Sequence, residues 1–220
     1  MKVELVRYTE NPHEAIEQAA SNCYDSIPNG RIMKACYKSG HHSVLEFAQF
    51  HFHIEDVSRS LTHQLVRHRT ASFAQRSQRY CSEDGFGVIC PLSIVKNIDA
   101  MKIFTKLRND IQEAYTELQK LGIPNEDARY VLPNACCTTI DVSFDFRNLC
   151  HFMNERLCTR AQWEIRELAN KMKDEVIKVF PEAKEMLVPK CERYEYAFCP
   201  ESKSCGRHKT MKDIFSENKY

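Results

Sequence analysis

Glycine is scarce, with six in 220 residues, and neither GxGxxG nor GxxxxGKS/T occurs. That excludes a nucleotide site built on a Gly-rich phosphate loop. No apolar run is long enough to span a bilayer, and the opening MKVELVRYTEN lacks the apolar core of a secretion signal. No membrane association is expected. An excess of one charge sign is also missing: 31 Lys+Arg against 30 Asp+Glu give a net charge of +1 and a pI near 7.6. There is thus no global field for nucleic acid or membrane, and any anion site must be local. The eleven cysteines include no CxxC pair, and HExxH is absent. An odd, scattered set of thiols fits a reduced, cytoplasmic protein. The length allows one domain, or one domain with an appendage.

Against this neutral background, residues 57–81 (VSRSLTHQLVRHRTASFAQRSQRYC) carry five arginines, with no lysine and no acid. Arginine offers a planar fork of donors matched to phosphate and carboxylate oxygens. Arg67-His68-Arg69 and Arg76-Ser77-Gln78-Arg79 are two clusters joined by a short loop, able to surround a phosphate or pyrophosphate. Taken alone, the first cluster would merely complement a helix C-terminus. Ser77 reads as a hydrogen-bond donor rather than a nucleophile, because no G-x-S-x-G surrounds it.

The periodicity predicts a strand over 1–8 and a helix opened by Asn11-Pro12. A short helix over 31–39 is stopped by Gly40. Ser43 and Glu46 fit a capping box, yet Ala48, Phe50, Phe52 and Ile54 alternate as a strand, so one helical turn feeding a strand is expected. A helix capped by Asp56 or Ser58 follows, with Val57, Leu61 and Leu65 inward and Ser60, Gln64 and Arg67 on the other side. Residues 70–75 read as a loop, and 77–81 and 87–90 as weak strands. Residues 94–121 read as one long amphipathic helix. A short helix carrying Arg129 leads to a strand in which Thr138, Ile140, Val142 and Phe144 alternate. Helices over 146–155 and 161–180 follow. The class is α+β, a central and mostly antiparallel sheet flanked by helices, with 1–188 as the catalytic domain. Residues 189–220 are a polar tail containing Cys191, Cys199 and Cys205, which need not be packed.

Six histidines lie between His41 and His68, and His51 and His53 could share a metal, but polar positions on an exposed sheet face suit them better. The tail cysteines are spaced too widely for a common zinc site and read as free thiols, so no metal is expected. Trp163, the only tryptophan, reads as a core anchor. A nucleic-acid module and a histidine-based metal hydrolase are the two rival functions. Neither accounts for the ordered motifs described next.

The motifs resemble the flavin-dependent thymidylate synthases. The family's Arg-His-Arg, seven residues, Ser is matched by Arg67-His68-Arg69, TASFAQR and Ser77. Gly40-His41-His42-Ser43-Val44-Leu45-Glu46 matches Gly-His-x-Ser/Thr-x-x-Glu upstream, and Gln64 the Gln three before the first Arg. Ser77-Gln78-Arg79-Tyr80, Ala128-Arg129-Tyr130-Val131-Leu132-Pro133 and the block from Arg156 to Ile165 follow in the family's order.

The resemblance implies methylation of deoxyuridylate (dUMP) to thymidylate (dTMP). Methylenetetrahydrofolate would give the carbon, and NADPH-reduced FAD the hydride, in a homotetramer with shared sites and no cysteine nucleophile. It implies a dUMP site of Gln64, Arg67, Gln75, Arg76, Ser77, Gln78, Arg79, Arg129 and Arg156, with Arg129 from a neighbouring subunit. FAD would meet Ser43, Glu46, Arg67, His68, Arg69, Gln75, Arg147 and His151. Arg156 would stand against the uracil ring as the catalytic residue. Gln75 stands where other members often have Glu, Gln78 where some have Gly, Ala74 where some are polar, and His151 where some have Asn.

Overall fold

The structure is a computed structural model that describes residues 1–217. Four strands form one antiparallel sheet in the order β1-β2-β4-β3: β1 Lys2–Tyr8, β2 Gln49–Ser58, β3 Ser72–Gln75 and β4 Cys137–Asp145. The described helices are α1 Pro12–Tyr24, α2 Ile32–Lys38, α3 Arg59–Leu65, α4 Leu92–Val95 and α5 Ile98–Lys120. They continue with α6 Asn125–Ala128, α7 Phe146–Arg156, α8 Trp163–Val179 and α9 Met211–Glu217. The fold is α+β as expected, and among the described residues no helix is long and apolar enough to cross a membrane.

The chain divides into two compact units. The first comprises Met1–Lys2, Ile54–Arg67 and Phe73–Asp141, the second Val3–His53, His68–Ser72 and Val142–Tyr220.

In the second unit, Phe50 of β2 meets Phe146 of α7 with ring centroids 5.8 Å apart, and Phe180, just past α8, lies 5.1 Å from Phe146. All three rings are buried. Alternation on β2 supplies Phe50, the first residue of α7 supplies Phe146, and the residue that ends α8 supplies Phe180. Buried Glu17 of α1 accepts from the backbone N–H groups of Asn29, Gly30 and Met33, so it caps the start of α2 in place of the residue before it. Gly40 ends that segment at φ +79°, a conformation other residues enter at a cost.

In the first unit, Ser58 caps α3 by accepting from Leu61 N at 3.0 Å, and Val57, Leu61 and Leu65 are buried. The buried Tyr115 of α5 accepts through Oη from the N–H of Glu83 at 3.1 Å, fixing the 81–86 loop.

Several expectations are corrected. His42–Phe47 is a 3-10 turn feeding β2, but His41 and not Ser43 sits at its cap, and no side-chain cap bond forms. Residues 72–75 pair as β3 instead of looping, because four residues show too little periodicity to reveal a strand. Residues 77–81 form a turn closed by Cys81 N→Ser77 O at 3.0 Å, and 87–90 contribute only a bridge of Val88 to Cys136. The long helix breaks at Asn97, whose side chain accepts from Asp99 N and Ala100 N and so starts α5 afresh. Trp163 is 38% exposed, because it opens α8 while Ile165 and Leu168 carry the buried face. The tail is packed in part: Cys199 and Thr210 are buried and bridge to one another.

Candidate active site

The two units divide the expected site residues between them. The first holds Gln64, Arg67, Gln75, Arg76, Ser77, Gln78, Arg79 and Arg129, which are the expected nucleotide residues apart from Arg156. The second holds Ser43, Glu46, His68, Arg69, Arg147 and His151, the expected flavin residues apart from Arg67 and Gln75, together with Arg156.

In the first unit the arginines are held by acids and carbonyls. Arg79 places Nε and Nη2 on Glu126 Oε2 at 3.1 and 3.0 Å, with both side chains about half exposed. Arg76 donates to Glu83, which is almost fully buried, and to Ser82 O, and the bond to Glu83 raises the Arg76 pKa further. Arg59, which had no assigned role, donates from Nη2 to Arg76 O at 2.8 Å. Ser77 Oγ accepts from Arg79 N at 3.2 Å, and Gln78 donates to Cys136 Sγ at 3.6 Å. Gln75 donates to Thr62 Oγ1 at 2.9 Å, tying β3 to α3. Arg129, in the 3-10 turn that follows α6, donates to Glu126 O at 3.1 Å, so it sits beside the acid that holds Arg79. Arg67 is exposed just past α3, and Gln64 is half-buried on that helix.

The second unit contains a cavity of about 820 Å³ whose lining includes Tyr37, His42, Glu46, Arg147, His151 and Arg193. Arg147 Nη1 donates to Glu46 Oε1 at 2.5 Å, joining α7 to the turn before β2. His42 stacks on Tyr37 with centroids 5.2 Å apart. Burial raises the Tyr37 pKa, which keeps its hydroxyl protonated. Ser43 and Arg69 are exposed and lie outside this lining.

Arg156, the last residue of α7, donates from Nε to His68 Nε2 at 3.0 Å. His68 also lies edge-on to Phe152 with centroids 5.0 Å apart, and His151 is 6.1 Å away. Burial first, then the charges of Arg156 and His151, lower the His68 pKa to about 4. The imidazole is therefore neutral at neutral pH, with its proton assigned to Nδ1 and its Nε2 lone pair facing the guanidinium. Gln162 caps α8 by accepting from Glu164 N at 2.9 Å and Ile165 N at 3.2 Å, which fixes where the chain resumes after Arg156.

Sequence reasoning gave no role to Arg59, Glu83, Glu126, Tyr37 and His42. Glu126 stands three residues before Arg129, a spacing that puts both on one helical face. His42 stands inside the matched Gly-His-x-Ser block. Nothing in the sequence marks Glu83 or Tyr37, although Arg76 and His42, which they meet, stand only seven and five residues away.

Comparison with known proteins shows the family. Residues 4–182 match the family model described as thymidylate synthase complementing protein. A flavin-dependent thymidylate synthase of Clostridium tetani is 39% identical over 98% of this chain and 97% of its own length. Its counterpart from Pyrococcus furiosus is 39% identical over 91% of this chain and 90% of its own. The crystal structure of the flavin-dependent thymidylate synthase of Helicobacter pylori complexed with FAD and dUMP superposes with a TM-score of 0.67. It is 24% identical, covers 83% of this chain and 99% of its own, and supports the fold alone. The chain belongs to the flavin-dependent thymidylate synthase family.

Proposed function

We propose that this protein is a flavin-dependent thymidylate synthase, a methyltransferase that converts dUMP to dTMP with methylenetetrahydrofolate as carbon donor and NADPH as reductant. The observation that carries the reading is the bond from Arg156 to His68. It joins the first residue of one family block to the centre of another, across 88 positions of sequence.

The residues fit FAD. A cavity of about 820 Å³ has the size of a cofactor site and offers a cation (Arg147), ring faces (Tyr37, His42) and polar side chains (Glu46, His151). In this reading Arg147, Glu46 and His151 hold FAD, with Ser43, Arg67, His68, Arg69 and Gln75 completing its contacts. FAD, reduced by NADPH, would supply the hydride. The chain's own task is to bind dUMP and make its C5 nucleophilic. Ser77, Gln78 and Arg79 would take the phosphate, with Gln64, Arg67, Gln75 and Arg76 around it and Arg129 arriving from a neighbouring subunit. The exposed pair of Arg79 with Glu126 costs little to exchange for a phosphate.

Arg156 would stabilise the uracil anion left when N3 loses its proton, as a preorganised charge stabilises a developing oxyanion. Neutral His68 would hold Nε and so set the plane of the fork. A second cation in place of neutral His68 would repel Arg156. Burial pushes the Cys136 thiol up to about 11 and raises that of Cys150, which keeps both protonated and poor nucleophiles. This supports a route without cysteine addition to the ring.

A homotetramer follows the same resemblance. Ile103 and Leu107 of α5 and Leu121 beyond it are each more than half exposed in the single chain, an apolar row suited to subunit contact. Residues 1–188 would be the catalytic domain with 189–220 as its tail, working in the cytoplasm. The test is direct: the purified protein should carry or bind FAD, and its flavin bands should move when dUMP is added. A folded protein that binds no flavin would overturn the reading.

A further inference from the structure

The tail cysteines, read from sequence as free thiols, converge in the fold. Cys191 lies in the 3-10 turn Lys190–Glu192, and Cys199, eight residues on, is buried. Cys205 and His208 flank Gly206, whose φ of +97° turns the chain back on itself. These four residues and Cys158, from the loop after α7, line one small cavity of about 20 Å³. That is room for one water-sized body.

Cys191 Sγ, a carboxylate oxygen of Glu192 and a ring nitrogen of His208 already lie within 4.8 Å of one another. The backbone holds the segments together independently of any ion: Cys199 N bonds Lys209 O at 2.8 Å, and Phe198 N bonds Cys191 O at 3.1 Å.

We propose that Cys191, Cys199, Cys205 and His208 form a structural zinc site. Three thiolates and an imidazole are a soft tetrahedral set that favours zinc over the hard divalent cations. The Cys205-x-x-His208 spacing suits a chelating pair. Glu192 Oε1 meets His208 Nε2 at 3.2 Å, the carboxylate–histidine arrangement that orients a ligand, and leaves Nδ1 for the metal. Binding converts three thiols to thiolates and releases their protons to solvent. The excess negative charge that results faces Arg207 on the cavity wall.

The site also has a consequence for the segment after Arg156. Arg160 donates to Lys203 O at 3.0 Å and pairs with Glu201 at 3.2 Å, so the tail is bonded to the turn between Arg156 and α8. A metal that fixes the tail would fix that turn.

The test is metal analysis of the full chain purified without chelators, then incubated with zinc and desalted. About one zinc per chain is expected. Cys199→Ser and Cys205→Ser should each reduce it to background, and Cys23→Ser, at an exposed position on α1, should leave it unchanged. If the tail variants fail to fold, thiol titration of the native wild type decides. About three more thiols should react after a strong chelator is added than before. Zinc well below stoichiometric, zinc retained in Cys205→Ser, equal thiol counts with and without chelator, or disulfides among these cysteines in the protein as isolated would each overturn the proposal.

Discussion

Arg156 Nε and His68 Nε2 are 3.0 Å apart, so the guanidinium at the end of α7 is held by a neutral imidazole from the Arg-His-Arg motif. The pairing requires His68 to stay unprotonated, and its pKa of about 4 provides for that. The ordinary histidine value is about 6.5. The unfolded chain therefore binds the extra proton first as pH falls, and stability is lost between about pH 6.5 and 4. Above that window both states are neutral and the effect vanishes. Because His68 is only half-buried, the loss should be about 1–2 kcal/mol, less than the full shift implies. Denaturant unfolding at pH 7 and pH 5 should show it in the wild type, and His68→Gln should flatten the difference.

Arg156→Lys keeps a charge but removes the planar fork. Turnover should fall by roughly 10²–10³, with FAD affinity nearly unchanged because the cavity proposed for the flavin is lined by Arg147 and His151 and not by Arg156. Steady-state assays beside a flavin titration separate the two. Near-normal turnover would remove Arg156 from the mechanism.

Arg79 is engaged by Glu126 in the free chain. Glu126→Gln should release it and tighten dUMP binding by roughly two- to fivefold, the scale of an exposed pair, as read by calorimetry. Unchanged affinity would mean that Arg79 does not meet the phosphate.

Arg76 has a second duty, since the carboxylate it pairs with, Glu83, is 5% exposed. Arg76→Ala leaves a buried charge unpaired and should destabilise the protein by about 3–5 kcal/mol. Arg76→Ala combined with Glu83→Gln should recover much of that. Thermal unfolding of both variants checks it.

The apolar row on α5 should hold subunits together. Ile103→Glu combined with Leu107→Glu, both exposed in the single chain, should shift the species seen in sedimentation toward a smaller assembly and lower activity with it. An unchanged assembly would place the interface elsewhere.

Much of this arrangement was legible before the fold was known. Phe50, Phe52 and Ile54 on β2 and Ile140, Val142 and Phe144 on β4 alternate strictly, and all six are buried. Period-two patterns of that length leave little choice of face. The ordered motifs identified the arginines, because their spacing survives in sequence. What was illegible is tertiary. β3 is too short to show a period. Asn97 breaks α5 through a side-chain cap that competes with an otherwise continuous apolar pattern. The partners of Arg76 and Arg79 are acids outside the Arg-rich stretch, and Glu126 is 47 residues from Arg79. The tail looked unpacked because its cysteines are far apart in sequence and converge only through backbone bonds such as Cys199 N to Lys209 O.

The most direct measurement is product formation by the purified protein with dUMP, methylenetetrahydrofolate, NADPH and FAD under anaerobic conditions. The expected result is dTMP that requires every component and disappears when the bound flavin has been stripped from the protein. A folded, flavin-loaded protein that forms no dTMP, or a flavin-stripped one that forms it equally well, would contradict the account.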